Sequence, residues 1–220
     1  MTTLTTEPLK SLLTQLFADA EASNAQMRRD NATISAQEVA RRAASADHRA
    51  FYMSAKEYHL AVSPETARLL YMLARSSGAR AVVEFGTSFG ISTLHLAAAL
   101  KDNGGGHLIG SEFEPSKVVR ARNNMRAANL SELVDIREGD ALESLARDLP
   151  ESIDLVLLDG AKPMYLKVLE LLEGRLKPGA LLIADNADRC PEYLARVRAA
   201  AGGFISVPFA DDVEVSMKLA

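Results

Sequence analysis

From residue 79 onward the chain alternates short apolar runs with amphipathic stretches of helical length: ARAVVEF, ISTLHLAAAL, HLIGSEF, PSKVVRARNNMRAANL, LVDIREGD, ALESLARDL, IDLVLLD, YLKVLELLEGRL, ALLIADN and PEYLARVRAAA. Parallel strands need a crossover that returns the chain to the same edge, and a helix is the usual crossover, so the alternation predicts five parallel strands. The runs are nearly continuous in apolar residues, as strands covered on both faces are. The tail differs. GFISVPF and DVEVSMKL are separated by a few polar residues, too few for a helix, which predicts an antiparallel hairpin added to the sheet. Before the alternation, from about residue 7 to 76, apolar positions such as Leu9, Leu12, Leu13 and Leu16 recur at helical spacing, and no strand-like run interrupts them. Ser63, Pro64 and Glu65 read as a cap opening a helix that stops near Gly78. The expected organisation is a helical extension over residues 1–60 followed by one α/β domain over residues 61–220.

A chain of 220 residues with 48% hydrophobic and 25% charged content can bury a sizeable core. Its net charge of -4 offers no general attraction for a phosphate backbone, so no nucleic-acid partner is expected. The single cysteine, Cys190, rules out an intramolecular disulfide framework and fits a reducing compartment. The start, MTTLTTEPLKSLLTQLF, lacks a basic region followed by a long apolar core. The apolar runs are strand-length, short of the ~20 residues that span a bilayer. A soluble, cytoplasmic protein with no membrane partner is the expectation.

Between the first strand and the next helix stands VVEFGTSFGIST, which carries Glu84, Gly86, Ser88 and Gly90. A sharp strand-to-helix turn needs glycine where φ is positive or where backbone must approach a ligand, and the helix start offers unpaired N–H groups. The next strand, HLIGSEF, ends in Glu112, where a carboxylate can accept from both hydroxyls of a ribose. Together these imply a nucleoside ligand. The glycines are spaced G-x-x-x-G with Ser88 between them, unlike the G-x-G-x-x-G of dinucleotide sites. An acid at Glu84 would repel a pyrophosphate and suit a cation, and S-adenosylmethionine has no phosphate and carries an ammonium group. Asp140, closing LVDIREGD, lies within reach of an adenine amine and is equally placed to cap a helix that starts at Ala141.

Two further apolar runs end in oxygen-bearing side chains, LVLLDGAK in Asp159 and GALLIADN in Asp185 and Asn186. In open α/β sheets such ends face one crevice where the strand order reverses. Two carboxylates and an amide oxygen form a hard site suited to Mg²⁺ or Mn²⁺, although each could instead cap a helix. Lys162, three residues past Asp159, is then either a solvated lysine or a general base beside the cation.

On EFGTSFGIST, SEFE, LLDGAK and ADN, the chain resembles the catechol and caffeoyl-CoA type of metal-dependent O-methyltransferase, within the class I S-adenosylmethionine-dependent enzymes, over residues 60–219. The resemblance implies a Rossmann-like, doubly wound seven-stranded sheet of order 3-2-1-4-5-7-6 with strand 7 antiparallel. It implies S-adenosylmethionine and Mg²⁺ (or Mn²⁺) as cofactors and a methyl transfer to a hydroxyl of a small phenolic or catechol-like molecule. Lys162 would deprotonate that hydroxyl, and Asp159, Asp185 and Asn186 would hold the metal. Val62, Glu84, Gly86, Ser88 and Ser92 would line the methionine end with Asp159 beside them, Glu112 and Phe113 the ribose and adenine, and Asp140 and Ala141 the adenine rim.

The chain also departs from that pattern. Ala161 stands where the animal catechol enzyme has a tryptophan, and GFISVPF stands where that enzyme places a carboxylate for the second catechol hydroxyl. Two rivals share the fold: a metal-independent N- or O-methyltransferase with Asp185 and Asn186 as caps, and a nucleotide-dependent oxidoreductase supported by Glu112. His59 lies close enough to the expected cofactor mouth to touch an acceptor, whereas His95, His107 and Cys190 read as packing or surface residues. The amphipathic stretch over residues 7–29 suggests packing on a twin, hence a homodimer.

Overall fold

A computed structural model describes residues 1–220 apart from 36, 39–40 and 42–47. Part of the helical extension expected over residues 7–76 therefore lies outside the described residues. The strands are β1 (Ala81–Phe85), β2 (His107–Glu112), β3 (Val134–Glu138), β4 (Ile153–Leu158), β5 (Leu176–Ala184), β6 (Phe204–Phe209) and β7 (Val213–Lys218). They form one sheet of order β3-β2-β1-β4-β5-β7-β6. β1 to β5 are mutually parallel, and β7 runs antiparallel to both β5 and β6, as the tail and the resemblance predict.

The helices are α1 (Leu9–Asp30), α2 (His48–Ser54), α3 (Pro64–Ser76), α4 (Ile91–Asp102), α5 (Pro115–Ala127), α6 (Ala141–Ser144), α7 (Tyr165–Glu173) and α8 (Pro191–Arg198). Ser63 caps α3 as its residue type suggests, accepting the Thr66 N–H at 3.0 Å with Pro64 at the first helical position. Strand side chains alternate between two cores. Val82, Leu108, Leu155 and Ile183 pack with Leu70 of α3 and Leu96 and Leu100 of α4, while Val83, Ile109, Val156 and Leu182 meet Tyr165 and Leu169 of α7 and Val197 of α8. Burial on both faces is why these strands read as unbroken apolar runs rather than as alternating ones.

The amphipathic stripe of α1 is buried against its own chain: Leu9, Leu13, Leu16 and Ala20 join a cluster with Val62, Ile91, Leu94 and Val118. That stripe is not available to a second copy, contrary to the reason for expecting a homodimer there. Among the described residues, no helix is long and apolar enough to cross a membrane.

The register then sets the site. Phe85 pairs with Leu158 and Leu158 with Ala184, so the residues that follow, Gly86, Asp159 and Asp185, emerge side by side at one sheet edge. The Asp159 N–H donates to the Phe85 carbonyl at 2.8 Å, and the Asp185 N–H to the Leu158 carbonyl at 2.9 Å, extending the ladder one residue beyond the strands.

Candidate active site

The loop after β1 is built around a buried carboxylate. Glu84 is 0% exposed, and its oxygens accept hydroxyl hydrogens from Ser92 (2.6 Å), Thr93 (2.6 Å) and Thr87 (2.9 Å). Burial pushes this carboxyl above the ordinary range, and the three hydroxyls hold it down. The expectation that Glu84 presents its charge to a ligand is corrected accordingly: the side chain lies beneath the loop and ties it to the first turn of α4. Glu84→Ala leaves three buried hydroxyls without that partner and is expected to cost about 3 kcal/mol of stability, read by denaturant unfolding.

Four N–H groups of the loop are engaged within the protein. Gly86 and Thr87 both donate to the Ser111 carbonyl, Gly90 donates to the Thr87 carbonyl, and Ser88 donates to Glu112 Oε2 at 2.7 Å. With these donors engaged, the loop has fewer left for a pyrophosphate. Ser88 adopts a left-handed conformation, with φ 49°, and its hydroxyl donates to the His59 carbonyl at 2.6 Å, clasping the segment before α3 to the loop.

Around that loop the structure brings together a crevice lined by Gly86, Ser88, Glu112, Phe113, Asp140, Ala141 and Asp159. Glu112 is fixed through both oxygens by the N–H groups of Ser88 and Glu114, which orients its carboxylate. Asp140 lines the crevice and caps α6 through the Leu142 N–H at 2.8 Å, the cap that its position before Ala141 predicts. Val62 and Ser92 line a smaller adjoining pocket with His59, Gly86 and Asp159.

Asp159, which borders that crevice, and Asp185, which borders a separate one, interact at the ends of β4 and β5. Burial raises both carboxyls above the ordinary carboxylate range; the Asp159 charge raises Asp185 further, and Lys162 pulls both down. Two carboxyls so buried and so close disfavour ionisation of both at once. Lys162 is no solvated surface residue. Its side chain is 12% exposed, and its Nζ lies 3.3 Å from Asp159 Oδ1 and donates to Tyr165 Oη at 2.8 Å. Tyr165, fully buried, passes the chain of donors on to the Asp185 carbonyl at 2.8 Å. Asn186 sits at φ 51°, a conformation asparagine tolerates, and its Nδ2 donates to Asp212 Oδ2 at 3.1 Å, leaving its carbonyl oxygen as the atom a cation would take.

Three residues at the site escaped the sequence reading. Tyr52 and Leu60, from the helical extension, line the crevice. Asp212 stands just before β7 and reaches Asn186 because β7 inserts next to β5. The doublet Asp211-Asp212 was its only signal. His59 stacks on Phe89 at a centroid distance of 4.3 Å beside the loop, and Cys190 is buried as a small packing residue.

A family model described as a methyltransferase domain matches residues 83–187. The chain is 34% identical over 133 residues to a catechol O-methyltransferase of Niastella koreensis, covering 59% of this chain and 59% of that protein. It is 30% identical over 136 residues to a catechol O-methyltransferase of Mycobacterium tuberculosis, covering 62% and 61%. The matches thus span about three fifths of these relatives' length. The crystal structure of the O-methyltransferase TomG from Streptomyces achromogenes, in complex with S-adenosylmethionine, shares the fold with a TM-score of 0.63 at 23% identity, over 91% of this chain and 99% of that one. Residues 83–187 thus match a methyltransferase domain, and the chain is similar over about three fifths of its length to catechol O-methyltransferases.

Proposed function

We propose that the protein transfers a methyl group from S-adenosylmethionine to a hydroxyl of a small phenolic or catechol-like molecule, assisted by a divalent cation. The observation that carries this reading is the Asp159–Asp185 pair with Lys162 beside it at the carboxyl ends of β4 and β5. The engaged N–H groups of the glycine loop disfavour the rival oxidoreductase, which would need them for a pyrophosphate. Glu112 would hold the ribose hydroxyls, and Phe113, Asp140 and Ala141 would frame the adenine. Gly86 and Ser88 at the crevice wall, with Val62 and Ser92 beside them, would place the methionine end toward Asp159.

The donor set fits Mg²⁺ or Mn²⁺: two carboxylates and the Asn186 carbonyl oxygen, with no nitrogen or sulfur ligand among them. Among the described residues no three His, Cys, Asp or Glu side chains gather into a metal site, so water and the acceptor would complete the shell, as Mg²⁺ commonly requires. The cation, when bound, would supply positive charge that lowers the pKa of the acceptor hydroxyl. Lys162 would take the hydroxyl proton on Nζ, held for that purpose between Asp159 and Tyr165. The buried walls would exclude water from a step in which an oxyanion and a sulfonium combine into neutral products.

Turnover of catechol with S-adenosylmethionine is expected to fall at least a hundredfold in EDTA and to return with Mg²⁺. Activity that survives chelation would leave Asp185 and Asn186 as caps and favour the metal-independent rival. Since both carboxyls are raised above the ordinary range and a cation needs them ionised, Mg²⁺ uptake is expected to release protons and to strengthen as pH rises. Calorimetry in two buffers of different ionisation enthalpy reads that release directly.

A further inference from the structure

Asp159, Lys162 and Tyr165 recur at every third residue through the turn that leaves β4. The Met164 N–H donates to the Ala161 carbonyl at 2.9 Å and the Tyr165 N–H to the Lys162 carbonyl, so Lys162–Met164 form a single 3₁₀ turn. Residues three apart in such a turn stand one above the other, which brings the Lys162 and Tyr165 side chains onto one face. Tyr165 has no freedom to swing away. It is 0% exposed, and its ring meets Phe85 and Tyr193 edge to face at centroid distances of 6.2 and 5.9 Å.

The Tyr165 hydroxyl carries one proton, and its partners decide where that proton goes. A backbone carbonyl can only accept, so the 2.8 Å contact with the Asp185 carbonyl takes it. The 2.8 Å contact with Lys162 Nζ then runs from nitrogen to the phenol oxygen. Asp159 Oδ1, at 3.3 Å, accepts a second N–H when ionised. Among the described residues Nζ makes no further hydrogen bond. A neutral amine has two N–H groups and one lone pair, and a base works through the lone pair. With both N–H groups drawn to Tyr165 and Asp159, the lone pair occupies the remaining tetrahedral position.

Building on the methyltransferase reading, we propose that Tyr165 is a positioning residue for Lys162: an oxygen whose own proton is given to the Asp185 carbonyl can only accept from the amine, and so it turns the lone pair toward the acceptor hydroxyl. The acceptor O–H bond breaks as the new N–H bond completes the ammonium, and the Tyr165 proton does not move.

The test uses the full chain with Mg²⁺, S-adenosylmethionine and catechol. Tyr165→Phe keeps the ring and removes the hydroxyl; it is expected to lower kcat roughly thirtyfold while the affinity for S-adenosylhomocysteine stays within about twofold of wild type. In a Lys162→Ala background the same change is expected to lower the residual rate by less than about twofold, because the tyrosine acts only through the amine. Tyr193→Phe removes the hydroxyl of the neighbouring ring, which bonds neither Lys162 nor Asp185, and is expected to keep kcat within about twofold. An unchanged kcat in Tyr165→Phe, an equal fall in both backgrounds, or an equal fall in Tyr193→Phe overturns the proposal. A second readout needs neither turnover nor a folded Tyr165→Phe: the ζ-carbon resonances of the five tyrosines in isotope-labelled protein. Lys162→Ala is expected to shift the Tyr165 resonance, because its oxygen loses a donor, and no shift in any of them overturns the proposal. Wild type that leaves catechol unmethylated, with that resonance shifting as expected, overturns the underlying reading and with it the role given to the contact.

Discussion

Lys162→Ala is expected to lower kcat by about a thousandfold, within the range seen when a general base is removed, while the affinity for S-adenosylhomocysteine stays within twofold. The residue follows the end of β4 in a short turn, so its position is set by the same strand that delivers Asp159. Two contacts then fix its Nζ, Asp159 Oδ1 at 3.3 Å and Tyr165 Oη at 2.8 Å, while the crevice-lining residues Glu112, Phe113 and Asp140 sit at or just beyond the ends of β2 and β3. Loss of the amine should therefore touch the proton transfer and not the binding of the donor. Lys162→Arg sharpens the test. A guanidinium keeps the charge beside the two carboxylates but does not give up a proton in the working pH range, so its kcat is expected to fall about as far as that of the alanine variant. Single-turnover rates with a saturating donor, paired with calorimetric titration of S-adenosylhomocysteine, measure both halves. An alanine variant as active as wild type removes Lys162 from the mechanism, and an active arginine variant reduces its role to charge.

The fold and the strand-end residues were legible because the chain repeats one physical unit. Each apolar run is a strand, each amphipathic stretch returns the chain, and the residue after each run lands at the same sheet edge, so Glu112, Asp140, Asp159 and Asp185 could be placed by counting alone. Glu84 was placed at the right strand end but on the wrong surface. It shares the parity of Val82, whose face packs under α4, and the hydroxyls of Ser92 and Thr93 at the start of that helix were the sign that the carboxylate is buried there. Gly110 on the adjacent strand confirms the crowding: a Cβ there would lie 2.5 Å from Thr87 Oγ1 and 3.3 Å from Glu84 Oε2. Asp212 and Tyr52 reach the site by tertiary packing, across the hairpin or across more than a hundred residues. Helical or strand spacing carries no information about such contacts, and α1 in particular reads as a surface-seeking amphipath until its partner surface on the same chain is known.

Gly86→Ala is the second large effect. The glycine sits at φ +98°, and a Cβ added there would lie 2.5 Å from the Asp159 carbonyl oxygen, 2.6 Å from the carbonyl carbon and 2.6 Å from the Gly160 nitrogen. All three are backbone atoms and cannot swing aside. The loop itself is tied down, because Gly86 and Thr87 both donate to the Ser111 carbonyl, and the Asp159 N–H is held by Phe85. Relief must come from moving β4's end away from β1, which carries Asp159 and Lys162 out of line with the donor. The variant is expected to lose about 3 kcal/mol of stability, from overpacking added to an unfavourable backbone angle. A displacement of about 1 Å at the reacting groups is expected to lower kcat roughly a hundredfold. Gly179→Ala isolates the backbone contribution: it also has positive φ, +83°, but nothing lies within 4 Å of the added Cβ. That variant is expected to lose only about 1 kcal/mol and to keep full turnover. If the two variants behaved alike in denaturant unfolding and in rate, the tight approach of the glycine loop to Asp159 would have no part in aligning donor and acceptor, and the loop would serve the cofactor alone.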